Sequence, residues 1–320
     1  MNVTSLLFFM RLIPLLLCSW AVVAGADVFT DADKAMAAKD YKTVMKLMRP
    51  RAESGDAVGQ YALGRLYYKG QGVPKNNPEA AKWFRKAAEQ GLSDAEYFLG
   101  YMYDNGEGVP QDHTEATKWY RKAADQGNAD AQRNLGTMYQ EGRGFPRDYV
   151  EAAKWYRKAA VHGNGGGQRN LGILYYDGNG VTQNFSEAAK WFRKAAEKGD
   201  TLAEFNLGIM YYSGQGVPRD FRDAAKWYRK AAEKGDAGAL NSLGFLYGNG
   251  QGVKRDIVLE YMFYILAADN GDQQAPKNRS ISERKLSTTQ SEEAKTLAAT
   301  WKVGTPLPMT SKTGGSSEHQ

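Results

Sequence analysis

The sequence is poor in the residues that carry out chemistry. It holds one cysteine, Cys18, and three histidines among 320 residues. Cys18 falls within the first 26 residues, so the remainder contains no thiol, which excludes disulfides, thiolate catalysis and cysteine metal sites together. His113, His162 and His319 have no metal-ligand spacing, so no metal site is expected. There is no Gly-x-Ser-x-Gly and no nucleophile beside a base, and no cofactor-binding motif is found. Neither sign of charge dominates: Lys+Arg 42 against Asp+Glu 36 leaves a net +6, which permits contact with an anionic surface without requiring it.

What is abundant is repetition. Leu63-Gly64, Leu99-Gly100, Leu135-Gly136, Leu171-Gly172, Leu207-Gly208 and Leu243-Gly244 follow one another at a constant interval of 36 residues. A period between roughly 20 and 50 residues is the mark of stacked repeats that bury their apolar faces on their neighbours. Each repeat reads as two helices around a glycine turn. Ala131, Leu135, Met138 and Tyr139 form the apolar stripe of a first helix. Glycine inside that helix costs about 1 kcal/mol relative to alanine, so its recurrence implies an approach too close for a Cβ. Gly142-Arg143-Gly144 and its counterparts read as helix C-caps rather than phosphate cradles. The second helix opens on Asp148-x-x-Glu151, a predicted capping box repeated at Asn76, Asp112 and Asn184. Trp83, Trp119, Trp155, Trp191 and Trp227 share one register and read as a packing ladder.

The pattern Leu-Gly-x-x-Tyr-x-x-Gly-x-Gly-Val-x-x-Asp-x-x-x-Ala-x-x-Trp-Tyr-x-Lys-Ala-Ala-x-x-Gly, nearly intact from Leu207 to Gly235, resembles the Sel-one-like repeat family, relatives of the tetratricopeptide repeats. The resemblance covers residues 56–271 and implies an all-α, right-handed α-solenoid. It also implies a scaffold for a protein or peptide partner, without catalysis, acting as an adaptor in envelope assembly, signalling or host interaction. Some secreted members are described as β-lactamase-like, but those carry a cysteine pair in each repeat. None occurs here, so a cell-wall-directed hydrolase is the weaker alternative.

The flanks complete the expected organisation. Residues 1–26 are apolar and end in Ala24-Gly25-Ala26, a signal peptide predicted to be cleaved after Ala26, implying a periplasmic or secreted protein. Arg11 is its one charge, and Met10 is the better initiator. Residues 27–55 read as an N-terminal capping half-repeat, with Tyr41 to Met48 in its second helix. In the sixth repeat Arg-Lys becomes Ile265-Leu266, an apolar surface that needs covering. A capping helix within 272–302 is predicted to supply that cover from Ser287-x-x-Gln290 onward, through Ala294, Leu297, Ala298 and Trp301. Residues 303–320 read as a disordered tail, and Gly163–Gly167 as a soft point at the start of a helix.

Two surfaces compete for a partner. Positions opposite the buried stripe of each first helix vary between repeats. They supply the candidate groove residues Tyr61, Arg65, Tyr97, Tyr101, Arg133, Thr137, Arg169, Ile173, Tyr176, Phe205, Ile209 and Tyr212. In tetratricopeptide-like arrays these helices floor the groove, and Tyr and Arg are the residue types of binding hot spots. The second surface is a basic ridge, Lys82, Arg85 and Lys86 repeated through Lys226, Arg229 and Lys230, suited to an anionic glycan or lipid. Helix-dipole compensation explains the same residues without a ligand. No nucleic-acid partner is expected, and oligomeric state is not legible.

Overall fold

The computed structural model describes residues 26–314, so all but the last residue of the predicted signal peptide lies outside the described residues. These fold into sixteen helices without a strand among them, and into two compact units. The first spans 26–131 with 143–145, the second 132–142 with 146–314. Unit 1 holds α1 (Ala26–Ala37), α2 (Tyr41–Glu53), α3 (Ala57–Lys69), α4 (Asn77–Glu89), α5 (Ser93–Asn105) and α6 (His113–Asp125). The helix α7 (Ala129–Glu141) contributes to both units. Unit 2 continues with α8 (Tyr149–Val161), α9 (Gly165–Asp177), α10 (Phe185–Ala196), α11 (Thr201–Ser213), α12 (Phe221–Glu233), α13 (Ala237–Asn249), α14 (Ile257–Asp269), α15 (Ala275–Glu283) and α16 (Thr288–Thr300).

In every repeat but the one begun by α5, where Leu92 stands at the N-cap, the first helix is started by an Asp or Asn cap, as where Asp200 accepts from the Ala203 N–H at 2.9 Å. It is stopped by a left-handed glycine, as at Gly214 with φ 75°. The mid-helix glycines are explained by contact. A Cβ on Gly64 would lie 2.6 Å from the Phe84 ring, and one on Gly208 would lie 2.5 Å from the Tyr228 ring. Gly100, Gly136, Gly172 and Gly244 meet Tyr120, Tyr156, Phe192 and Tyr264 in the same way. The second glycine of each Gly-x-Gly holds the next contact: a Cβ on Gly216 would strike the Phe185 carbonyl at 2.2 Å, so the loop of one repeat rests on the preceding second helix.

The capping boxes expected on the second helices form only by half. Asp148 accepts from the Val150 and Glu151 N–H groups, but its own N–H donates to the Tyr139 carbonyl at 2.9 Å. Asn76, Asp112, Asn184 and Asp220 likewise donate to Tyr67, Tyr103, Tyr175 and Tyr211. The amide that a box glutamate would satisfy is thus used by the first helix. Glu79, Glu115, Glu151 and Glu187 turn instead to Lys82, Lys118, Lys154 and Lys190, three residues on.

A buried polar pairing joins residues 30 apart: Gln60 with Gln90, Glu96 with Gln126, Gln132 with His162 and Glu204 with Lys234, at 2.7–2.9 Å. Lys234 also donates to the Gly199 carbonyl at 3.0 Å, tying the end of α12 to the preceding repeat. These pairs satisfy groups that would be costly to bury alone.

At the C-terminal end α14 is buried nearly all round and is covered by α16, whose Ser287/Gln290 capping box is complete. The shorter α15, which also packs on α14, has no apolar period by which the sequence would reveal it. The expected disorder after Trp301 is corrected up to residue 314. Leu307 is buried, Gly304 N–H donates to the Glu233 carbonyl at 2.7 Å, and Ser311 binds the Asp256 carboxylate at 2.8 Å. A tail rich in Gly, Ser, Thr and Pro lacks a core of its own, yet orders here because its backbone finds fixed partners on the repeats.

Three outcomes follow from this packing. Gly208→Ala should lower stability in urea by roughly 1–3 kcal/mol despite alanine's helix propensity, because the ring of buried Tyr228 has nowhere to go. The helix α9 reaches its full 13 residues from Gly165, with Asn164 capping the Gly167 N–H at 2.8 Å. Its first-turn amides, 165–169, should nonetheless exchange faster than 201–205; equal protection would refute the soft start. Burial tends to raise the Glu293 carboxyl, but hydrogen bonds from Thr313 and Lys312 outweigh it and hold the group below its ordinary 4.5. A depressed native value stabilises tail docking above that pH, and the contribution is lost as pH falls from 4.5 through the native value. Emission of Trp301, whose indole N–H donates to Thr305, should report release over that window and not above it.

Candidate interaction surface

The Leu-Gly stripe of each first helix faces the core, leaving the opposite positions to be assigned to surface or to packing. In unit 1, Tyr61 belongs to packing: it is 7% exposed and lies 5.8 and 5.9 Å from the Phe84 and Phe98 ring centres. It is a core residue, not a surface anchor. Arg65 lies over the Tyr61 ring at 5.8 Å, and its charge opposes the rise that burial imposes on the Asp94 carboxyl. Tyr97 is half-buried against the Phe98 and Tyr120 rings. Tyr101 is half-buried beside Tyr68, whose hydroxyl is pushed up chiefly by burial.

In unit 2 the same register is built largely from contacts between successive repeats. Arg133 lies across Gly166, where a Cβ would come within 2.7 Å of its Cδ, and Phe205 covers Gly238 in the same fashion at 2.8 Å. Of the glycines that weaken the start of α9, Gly166 thus makes room for an arginine. Thr137 shares a hydrogen bond with the Tyr156 hydroxyl at 3.1 Å. Arg169 pairs with Asp200 at 2.9 Å, and Tyr176 donates to Gln215 at 2.9 Å. Phe205 packs on Tyr228, and Tyr212 on Phe221 and Phe245. Ile173 and Ile209 remain half-buried on this face.

Two residues that the sequence reading missed extend the face. Phe245 of α13 and Ile281 of α15 are 43% and 49% exposed and continue the register of Ile173 and Ile209 at the same 36-residue interval. They were missed because α15 gives no periodic signal and α13 was read only for its buried stripe. Beside Phe245 lies a hollow of about 240 Å³ lined by Tyr212, Tyr228, Asn241, Ser242 and Asn278. It is closed on one side by the Asn278–Asn241 hydrogen bond of 2.9 Å.

The basic ridge is tied into the repeats. Lys86, Lys122, Lys158, Lys194 and Lys230 sit 3.8–4.3 Å from the ring centres of Trp83, Trp119, Trp155, Trp191 and Trp227. Arg85, Arg157, Arg193 and Arg229 donate to the hydroxyls of Tyr103, Tyr175, Tyr211 and Tyr247. A tryptophan ladder capped by lysines, and arginines held by tyrosines of the next first helix, form a brace between helices as well as a charged surface. Among the described residues no group of three His, Cys, Asp or Glu could hold a metal ion, and no helix is long and apolar enough to cross a membrane.

The Sel1 repeat model matches residues 57–92, 93–128, 129–164, 166–200, 201–236 and 237–272. The chain belongs to the Sel1 repeat family. Among solved structures it is similar to a Sel1 repeat protein from Oxalobacter formigenes, at 33% identity and a TM-score of 0.65, covering 80% of this chain and 96% of that one. It is also similar to c5321, a protective antigen of uropathogenic Escherichia coli with an SLR fold, at 32% identity and a TM-score of 0.37, covering 81% and 71%. The immunity protein Pa5087 of Pseudomonas aeruginosa is similar at 22% identity and a TM-score of 0.41, covering 70% and 83%. Comparison with curated proteins returns no match. The fold is therefore an all-α Sel1 solenoid, and Sel1 repeat proteins are in general non-catalytic scaffolds for protein–protein interaction.

Proposed function

We propose that this Sel1 repeat protein is an interaction scaffold whose unit 2 binds a protein or peptide partner on the face of its first helices. The observation that carries the reading is the apolar line Ile173, Ile209 and Phe245 of repeats 4 to 6, continued by Ile281 of α15 at the same interval, beside a hollow lined by Tyr212 and Tyr228. The exposed Phe245 and Ile281, in register with the half-buried Ile173 and Ile209, cost solvation free energy in a protein without a partner, and together they favour an apolar strip on a partner segment. Arg169 and Tyr176 border that line already oriented by Asp200 and Gln215, so little side-chain freedom is lost on binding. On unit 1 the equivalent face, with Arg65, Tyr97 and Tyr101, is aromatic and cationic and offers a separate, more polar contact. Arg133 and Thr137 act chiefly by supporting neighbouring side chains.

The apolar segment 1–26 supports an exported protein, so the partner is sought in envelope material. Anionic glycan or lipid binding by the ridge is the weaker reading, because the ridge lysines and arginines already serve Trp, Tyr and Glu side chains of the repeats. Crosslinked capture from envelope extract by the full chain and by a Phe245→Asp, Ile281→Asp variant separates the two. Loss of a specific protein in the variant, with little dependence on salt, is expected. Identical capture by both, released by salt, would overturn the apolar face in favour of the ridge. Both substituted side chains are exposed, so the variant should melt within a few degrees of the parent.

A further inference from the structure

The tail shows how the second-helix face of this fold holds an extended peptide. Residues 304–311 lie along repeat 5 and are gripped mainly by their backbone. Arg229 donates to the carbonyls of Leu307 and Pro308 at 2.9 and 3.3 Å, and the Glu233 carboxylate accepts the Leu307 N–H at 3.2 Å. The Tyr247 hydroxyl reaches the Met309 carbonyl at 3.5 Å, and Asp256 takes the Ser311 N–H at 2.9 Å. One side chain goes in: Leu307 is 4% exposed, whereas Val303 and Met309 on either side are 58% and 67% exposed. Pro306 and Pro308 flank that leucine and bias it toward an extended backbone.

Those four residues recur one repeat earlier. Arg193, Glu197, Tyr211 and Asp220 stand 36 positions before Arg229, Glu233, Tyr247 and Asp256. Arg193 donates to the Tyr211 hydroxyl as Arg229 does to Tyr247, so the guanidinium is already set. Beside them runs an open groove of about 590 Å³ lined by Ala189, Lys190, Arg193, Glu197 and Val217, among others. The equivalent groove on α8, about 500 Å³, keeps Arg157 and Tyr175 but has Val161 and Asn184 where the two acids would be. It has no carboxylate for a peptide N–H. On α4, Arg85, Glu89, Tyr103 and Asp112 repeat the full set within unit 1, and the same register at α6 reads Arg121, Asp125, Tyr139 and Asp148, with the shorter aspartate in place of the glutamate.

We propose that the groove on α10 binds an extended segment of another protein, a leucine flanked by prolines, in the manner of the protein's own tail. The α4 set is a second instance of the same site. This face is distinct from the first-helix face described above, and the two stand or fall separately. Recognition is mostly of main-chain groups, so sequence preference is confined to the leucine and to residues compatible with an extended backbone.

The test titrates the full chain calorimetrically with a synthetic peptide of residues 302–314. Saturable binding of at least two equivalents is expected. Arg193→Ala should remove one of them or weaken it at least about tenfold, the loss of a charge-assisted bond pair. Arg85→Ala with Arg193→Ala should remove two equivalents, Arg157→Ala should change nothing, and a peptide with alanine for leucine should not bind. Far-ultraviolet melting curves establish that the variants remain folded. Absence of saturable binding, or a stoichiometry and affinity unchanged in folded Arg193→Ala, would overturn the proposal.

Discussion

Everything in these repeats depends on one close approach, the aromatic ring of a second helix against the bare Cα of a glycine in the first. Six times an Phe or Tyr ring lies where a Cβ would otherwise be, at 2.5–2.8 Å from its ideal position. The approach sets how near the two helices of a repeat come, and it places the second-helix N-cap within reach of a first-helix carbonyl. That carbonyl occupies the cap amide, which releases the glutamate to pair with lysine. A backbone constraint in one helix thereby decides the hydrogen bonding of the next.

Between repeats the joints are more varied. The second loop glycine rests on the preceding second helix, a buried polar residue of four first helices reaches a partner 30 residues on, and Arg133 and Phe205, facing away from the core, cover a glycine of the following repeat. The chemistry changes from Gln–Gln to Glu–Gln, Gln–His and Glu–Lys while the geometry persists. Such joints tolerate exchange because what they must satisfy is a pair of polar groups, whatever their charge. The same tolerance makes the first-helix face free to diversify, which is how a scaffold of constant spacing acquires a particular partner.

The second-helix face does something different. Its lysines and arginines are conscripted by Trp, Tyr and Glu, so its charge is organised at fixed positions along each helix. Fixed donors beside a groove suit a peptide backbone, whose carbonyls recur at regular spacing, and the tail on repeat 5 uses them in that way. A ridge that reads as a solvated charge pattern in one dimension is a row of oriented donors in three.

By itself the sequence determined the repeat period, the two helices of each repeat, the accepting N-cap residues of the second helices though not their full boxes, the glycine stops, the glycine–helix contact and the helix from Ser287 that covers α14. These depend on residues within a turn or two of one another, or on a register that repeats. Tertiary structure alone decided which candidate residues face solvent. Tyr61 is buried between Phe84 and Phe98, Arg133 and Phe205 are spent on glycines 33 residues away, and Phe245 and Ile281 emerge in their place. It also decided that α15 forms without an apolar period and that a Gly- and Pro-containing tail orders on Arg229, Glu233 and Asp256. Exposure and docking are properties of neighbours distant in the chain, and a helical period says which face a residue occupies but not what lies against it.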